Sequence, residues 1–391
     1  MSRARARDLG LIRGGIPGPH NAITDVPGVE VGYSTLIEDR ASAVVRTGVT
    51  AILPRGRAGA ADPVAAGVHS LNGNGEMTGS VWIAESGSLG TPVLITNTHS
   101  VGAAHEGAIR WMLDAVPGAA DQWLLPVVAE TWDGRLNDIN GLHVRPEHAV
   151  GALEAARSGP VDEGAVGGGT GMICYGFKGG SGTASRRVVL GDAEYAVGVF
   201  LQANFGEMSE LTVRGEQVGP ALKAELSTGS ATPAEAPVVA GAAAPPQGAG
   251  SVIVVVATDA PLLPGQCTAM ARRVSLGLAR TGTAGSHFSG DIFLAFSTAN
   301  AGALASRFPA EGEEVVLDDL RAVPWGRMDP LYTAVVEATE EAVLNVLVAG
   351  EDMVGHRQNV HGLPIERVRE LLQVGQPGAG TTHIALDPDA T

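Results

Sequence analysis

Gly250-Ser251 stands where a segment rich in Ala, Pro and Gly gives way to a continuous apolar run. Residues 226–249 read LSTGSATPAEAPVVAGAAAPPQGA, without helical or strand periodicity, and Val252-Ile253-Val254-Val255-Val256-Ala257 follows Ser251 directly. If the Gly250–Ser251 bond breaks, Ser251 gains a free α-amine beside its own hydroxyl. One residue then supplies both a nucleophile and its general base. Such a site also requires a severed end able to leave, which a structureless stretch at 226–250 would provide. The same composition suits an interdomain linker, and a Gly-Ser pair is also an ordinary way to open a strand.

Downstream, GTAGSHFSGD (282–291) places polar groups at the entrance of a second apolar run. Ser289 and Asp291 are two apart, so an extended backbone turns both to one face. A hydroxyl and a carboxylate so placed form a relay toward a neighbouring strand; a Ser/Asp turn is the alternative. His287 lies nearby, but a Ser-His-Asp triad is a matter of spatial geometry and adjacency in sequence does not indicate one. His99, His105 and His143 have no stronger claim. No histidine pair has metal-ligand spacing, so no catalytic metal is expected. GGGTG (167–171) and GGSGT (179–183) fit neither phosphate-binding glycine pattern, and Lys178 precedes its glycines; tight turns packed near a site are expected there. Cys174 and Cys267 have no His/Asp setting suited to a nucleophile and are expected as free thiols in a cytoplasmic protein.

The elements that must hold these groups are short and varied. Thr50–Pro54, Val81–Ala84, Pro92–Thr96, Ala193–Ala203, Ser251–Ala257 and Asp291–Phe296 read as strands. Val101–Val116 and Pro264–Leu278 read as helices. A long helix follows Asp329-Pro330, where Asp caps and Pro takes the first position, and Gly350 ends it near Val348. Without strict β-α alternation, the pattern suggests stacked sheets between helical layers. With 391 residues, 45% hydrophobic and 17% charged, the chain is suited to a compact core. A net charge of −16 argues against nucleic acid or an anionic membrane as partner. No apolar run approaches the roughly 20 residues of a membrane span, and the N-terminus lacks the apolar core of a secretory signal.

Taken together, Gly250-Ser251 with VIVVVATDAPLLP and RTGTAGSHFSGDIFLAFSTAN (280–300) resembles the L-aminopeptidase/D-esterase family of self-processing serine peptidases of the N-terminal-nucleophile type. That family includes the β-peptidyl aminopeptidases. PGPHNAITDVPGVEVGY (17–33), LNGNGEMTG (71–79), NTHSVGAAHEGAI (97–109), ETWDGRLNDIN (130–140), GGGTGMICYGFKGGSGTASR (167–186) and QANFG (202–206) fall in the family's order, so the resemblance spans most of the chain. It implies an α/β (α+β) N-terminal-nucleophile-like αββα sandwich in a single domain, 1–391. It also implies self-cleavage into an α chain, 1–250, whose residues 226–250 form a flexible tail, and a β chain, 251–391. Such αβ pairs would assemble as a homotetramer.

By motif, the resemblance makes Ser251 the nucleophile and Ser289 and Asp291 the groups that orient and polarise it. Asn204 helps hold the oxyanion, and Glu130 receives the free amine of a small peptide, amide or ester. No cofactor is implied. Where some relatives carry a Tyr hydroxyl, Trp132 offers only an indole N–H and a larger apolar body. EDMVGHR (351–357) keeps only part of the family's pattern. The other readings on this scaffold are an amide-oligomer hydrolase, an acyltransferase akin to the ornithine acetyltransferases, which use Thr where this chain has Ser251, and a non-enzymatic binding protein.

Overall fold

The computed structural model describes residues 4–40, 43–228, 250–305, 308–309 and 312–373. Its centre is a six-stranded sheet in the order Ser88–Leu89, Val64–Gly73, Ser289–Ser297, Gly250–Thr258, Ala193–Asn204, Gly180–Leu190. A four-stranded sheet of Glu30–Arg40, Ala43–Leu53, Val93–Asn97 and Val127–Thr131 packs against it. The helices are α1 (Ser80–Ser86), α2 (Val101–Ala115), α3 (Pro146–Glu154), α4 (Gly219–Thr228), α5 (Pro264–Arg280), α6 (Asp329–Ala349) and α7 (Ile365–Leu371). Among the described residues no helix is long and apolar enough to cross a membrane.

The layering follows from strand alternation. In the Gly250–Thr258 strand, Val252, Val254 and Val256 pack in a cluster with α5 and α6, while Ile253, Val255 and Ala257 face the other sheet beside Ile52, Ile95 and Ala129. On the far side of the four-stranded sheet, Val49, Ala51 and Leu94 pack against Ala104, Ala108 and Met112 of α2 and Ala149 and Leu153 of α3. The order of layers is therefore helix, sheet, sheet, helix, as the resemblance implies. A strand buried on both faces reads as an unbroken apolar run, which explains VIVVVA.

The two strands Gly250–Thr258 and Ser289–Ser297 lie in the middle of the large sheet. Gly250–Thr258 pairs antiparallel with Ala193–Asn204 on one side and parallel with Ser289–Ser297 on the other, and Ser289–Ser297 pairs antiparallel with Val64–Gly73. The parallel pair is joined by α5, the crossover such a pair needs. Strands from before and after the Gly250–Ser251 junction are thus interleaved in one hydrogen-bonded ladder.

Several local expectations are corrected. Val81–Ala84 is not a strand but part of α1: Gly79 and Gly87, at φ 71° and 70°, frame a single short helix in which Ile83 alone is buried. A four-residue apolar run carries no period that separates strand from helix. Residues 226–228 are the last turn of α4, and Gly250 is the first residue of a strand, so neither belongs to a tail; 229–249 lie outside the described residues. Asp329 is inside the first turn of α6 and makes no side-chain cap, Met328 occupying the cap position. Its charge instead favours the positive helix end. Gly180–Thr183 is strand, not turn; glycine is needed at 182 because a Cβ there would lie 2.4 Å from the Ala342 carbonyl of α6. The 167–171 stretch is a buried 3-10 turn. Cys174 and Cys267 are buried and unbonded to one another.

Candidate active site

Strand register places the first pair of groups. Asn204, the last residue of its strand, stands opposite Ser251, the second residue of the neighbouring one. Alternation puts Ser251 on the same face as Ile253 and Val255, toward the four-stranded sheet. Its side chain is buried, and among the described residues its hydroxyl has no hydrogen-bond partner. A buried hydroxyl without a partner is costly and uncommon. Here it lines a cleft of about 440 Å³ with Gly250, Glu130, Trp132, Thr98 and Phe288.

The Asn204 amide is fixed from both ends. Its Oδ1 accepts the Ile173 N–H at 3.0 Å, and its Nδ2 donates to the Trp132 carbonyl at 2.9 Å. A side-chain amide nitrogen has two protons, so one N–H remains to donate elsewhere.

On the other neighbour of Ser251, Ser289 Oγ donates to Asp291 Oδ1 at 2.6 Å, both on the same strand face. Asp291 also accepts from Asn72 Nδ2 at 2.9 Å through Oδ2, and from the backbone N–H of Val252, the residue after the serine. Burial raises its pKa, and the three donors oppose that rise. The relay is thus anchored to the backbone next to Ser251, and it makes no hydrogen bond to the Ser251 hydroxyl in the uncut chain.

Glu130 comes from the opposite sheet. It is one residue from the end of the Val127–Thr131 strand, on the same face as Val128 by spacing, and its carboxylate turns into the cleft. The Glu76 N–H donates to Oε1 at 3.0 Å, and the Thr98 hydroxyl donates to Oε2. Burial raises its pKa, against the pull of these two donors. Among the described residues no Lys or Arg pairs with it. A buried carboxylate with hydrogen bonds but no cation is a ready receptor for an ammonium group. Gly75 permits the approach of the covering loop: a Cβ there would lie 3.1 Å from Glu130 Oε1 and 3.2 Å from Gly290 Cα.

Trp132 lines the cleft, and its indole lies so close to Gly134 that a Cβ at 134 would be 2.4 Å from the ring. The structure therefore gathers Ser251, Glu130 and Trp132 around one cleft, with Asn204 on the rung opposite Ser251 and Ser289 and Asp291 in the adjoining strand. The His287 ring meets the Phe288 ring edge to face. Among the described residues no group of three or more His, Cys, Asp or Glu side chains gathers as a metal site would need. Asn72 and Thr98, which hold Asp291 and Glu130, are not singled out by residue type. They lie in LNGNGEMTG and NTHSVGAAHEGAI, and spacing alone gave no sign of their partners.

Comparison with known proteins places the chain in a family. The sequence profile of peptidase family S58 matches residues 21–361. A β-peptidyl aminopeptidase, BapA, of Sphingosinicella microcystinivorans is 49% identical over 370 residues, 93% of this chain and 89% of the relative. A solved β-aminopeptidase from Burkholderia sp. superposes with a TM-score of 0.84 at 46% identity, over 96% of this chain and 100% of that one. The L-aminopeptidase D-Ala-esterase/amidase of Ochrobactrum anthropi gives 0.83 at 46% identity, over 94% and 98%. It is described as a prototype for the serine aminopeptidases and a variant of the Ntn hydrolase fold.

Proposed function

Because the chain belongs to peptidase family S58 and is a serine aminopeptidase/amidase-esterase, we propose that Ser251 is its nucleophile, released by cleavage of the chain's own Gly250–Ser251 bond. In the uncut chain Ser251 Oγ attacks the Gly250 carbonyl. The amide becomes an ester as the nitrogen leaves, and water hydrolyses that ester to give a carboxylate on Gly250 and a free α-amine on Ser251. The products are an α chain, 1–250, and a β chain, 251–391. Their strands remain interleaved in the large sheet, so the pair stays one domain.

In the matured form the α-amine, with an ordinary pKa of about 7.7–8.0, takes the proton from Oγ near neutral pH. Oγ adds to the substrate carbonyl, and the Asn204 N–H left free by Trp132 donates to the oxyanion. Collapse expels the amine, which takes a proton, and water hydrolyses the acyl-enzyme. Ser289 and Asp291 hold the nucleophile's backbone and polarise it, with Asn72 keeping Asp291 in place.

The observation that carries this reading is the buried Glu130, unpaired with any Lys or Arg among the described residues, across the cleft from Ser251. Ionised, it pairs with the substrate's ammonium and restricts attack to the first residue of a short peptide, amide or ester. The relatives' names include β-peptidyl and L-aminopeptidase activity, and we place the chain's preference within that range. The protein acts as a homotetramer of αβ pairs in the cytoplasm, the latter in keeping with two unpaired, buried thiols.

The test is a panel of p-nitroanilides of Gly, L-Ala, D-Ala and β-Ala, with the N-acetyl form of the best substrate. Turnover of at least one free-amine compound and none of its acetylated form is expected. Equal turnover of the two would refute the role given to Glu130.

A further inference from the structure

A second cavity, of about 330 Å³, adjoins the Ser251 cleft: Trp132 lines both, and Asn204 lines this one. Its walls carry Arg135, Lys223 and Glu207. Arg135 follows Trp132 by three residues and is only partly exposed. Among the described residues, neither its guanidinium nor the exposed Lys223 ammonium has a hydrogen-bond or ion-pair partner. Burial lowers the Arg135 pKa, and the attraction of Glu207 only opposes that fall. An under-compensated guanidinium in a cavity of ligand size points to an anionic ligand, and its planar fork suits a carboxylate in particular.

The direction of the substrate supplies the rest, and here the inference rests on the aminopeptidase reading above. With its ammonium on Glu130, the acyl residue fills the Ser251 cleft. Its carbonyl then lies between Ser251 Oγ and the Asn204 amide. The amine half continues past Asn204, which is a wall of the second cavity. We propose that this cavity receives the amine half of the substrate and that Arg135, assisted by Lys223, binds its terminal carboxylate, so that the enzyme selects free dipeptides over the corresponding dipeptide amides.

The experiment compares kcat/KM for a dipeptide and its C-terminal amide, the first residue being the best in the p-nitroanilide panel and the second L-alanine. The matured wild-type enzyme is expected to favour the free acid by about tenfold or more, the usual weight of a charge-assisted contact. The preference should fall toward one in R135Q, partly in K223Q, and return in part in R135K. Equal efficiency on acid and amide by the wild type would overturn this inference alone and does not depend on any variant folding. So would a preference that R135Q leaves unchanged. Failure of the wild type to hydrolyse either compound or any p-nitroanilide would overturn the aminopeptidase reading, and this inference with it.

Discussion

Asn204 and Ser251 face each other across one antiparallel rung, at the point where the two strands they belong to end and begin. The pairing fixes the separation of an amide donor and a hydroxyl through backbone hydrogen bonds, without side-chain adjustment. It also explains why glycine precedes the serine: a Cβ on Gly250 would lie 2.1 Å from the Asn204 carbonyl. The same register therefore demands the residue before the proposed cut and positions the residue after it.

Removal of the Asn204 amide should lower turnover far more than binding. For N204A a fall in kcat of about 10²–10³ is expected, with a smaller change in KM, as for other single oxyanion donors. Steady-state kinetics on the matured variant check it; a change confined to KM would count against the assignment.

Replacing Glu130 should weaken capture of the amine. Losing one partner of a buried charge pair costs about 2–5 kcal/mol, so E130Q should lose about 30-fold or more in kcat/KM. Burial raises the Glu130 pKa, so its ionised form is lost above the ordinary carboxylate range as pH falls. The wild-type kcat/KM profile should fall more steeply there than titration of the Ser251 α-amine alone allows, and E130Q should keep only the limb of the α-amine. An identical acid limb in the variant would contradict the role.

Asn72 is expected to act through Asp291, which it reaches at 2.9 Å while also donating to the Ser286 carbonyl at 3.1 Å. N72A leaves one buried carboxylate oxygen short of a donor, a cost of about 1–3 kcal/mol. We expect a drop in kcat of about tenfold with KM held, and a shift of the kcat–pH profile that a loss of packing alone would not produce. An unchanged profile in N72A would remove the assignment.

Much of this was legible in the residues. Ser289 and Asp291 two apart on a strand, and the apolar run after Ser251, follow from period and composition. Asn204 and Glu130 were reached through motif resemblance, because their roles depend on which strands lie side by side. The Ala193–Asn204 strand meets Gly250–Thr258 only through a long-range pairing that no local pattern encodes. Asn72 and Thr98 are not legible in the sequence for the same reason: a hydrogen bond between distant segments leaves no periodic trace. Val81–Ala84 is helix where its apolar run suggests a strand, because glycines in the left-handed region at both ends decide its shape.

Asp133 offers a test of the site's electrostatic frame. It is fully enclosed, accepts from Asn137 Nδ2 at 3.0 Å, and has one oxygen without a hydrogen-bond partner among the described residues. Burial pushes its pKa up to about 7, against an ordinary value of about 3.9. The folded state thus holds the proton more tightly than the unfolded chain. Its contribution to stability is complete below about pH 4 and is lost as pH rises toward about 7. In D133N that loss is absent, so the Tm of the variant relative to wild type should climb between those limits. Parallel Tm curves across the range would show that Asp133 does not titrate there.

The most direct measurement of the central claim is the mass of the purified protein under denaturing conditions, for wild type and Ser251→Ala, alongside turnover of the best p-nitroanilide. Two fragments meeting between Gly250 and Ser251, an uncut variant, and activity in the wild type alone are expected. An active wild-type chain that remains whole, or activity retained by Ser251→Ala, would contradict it.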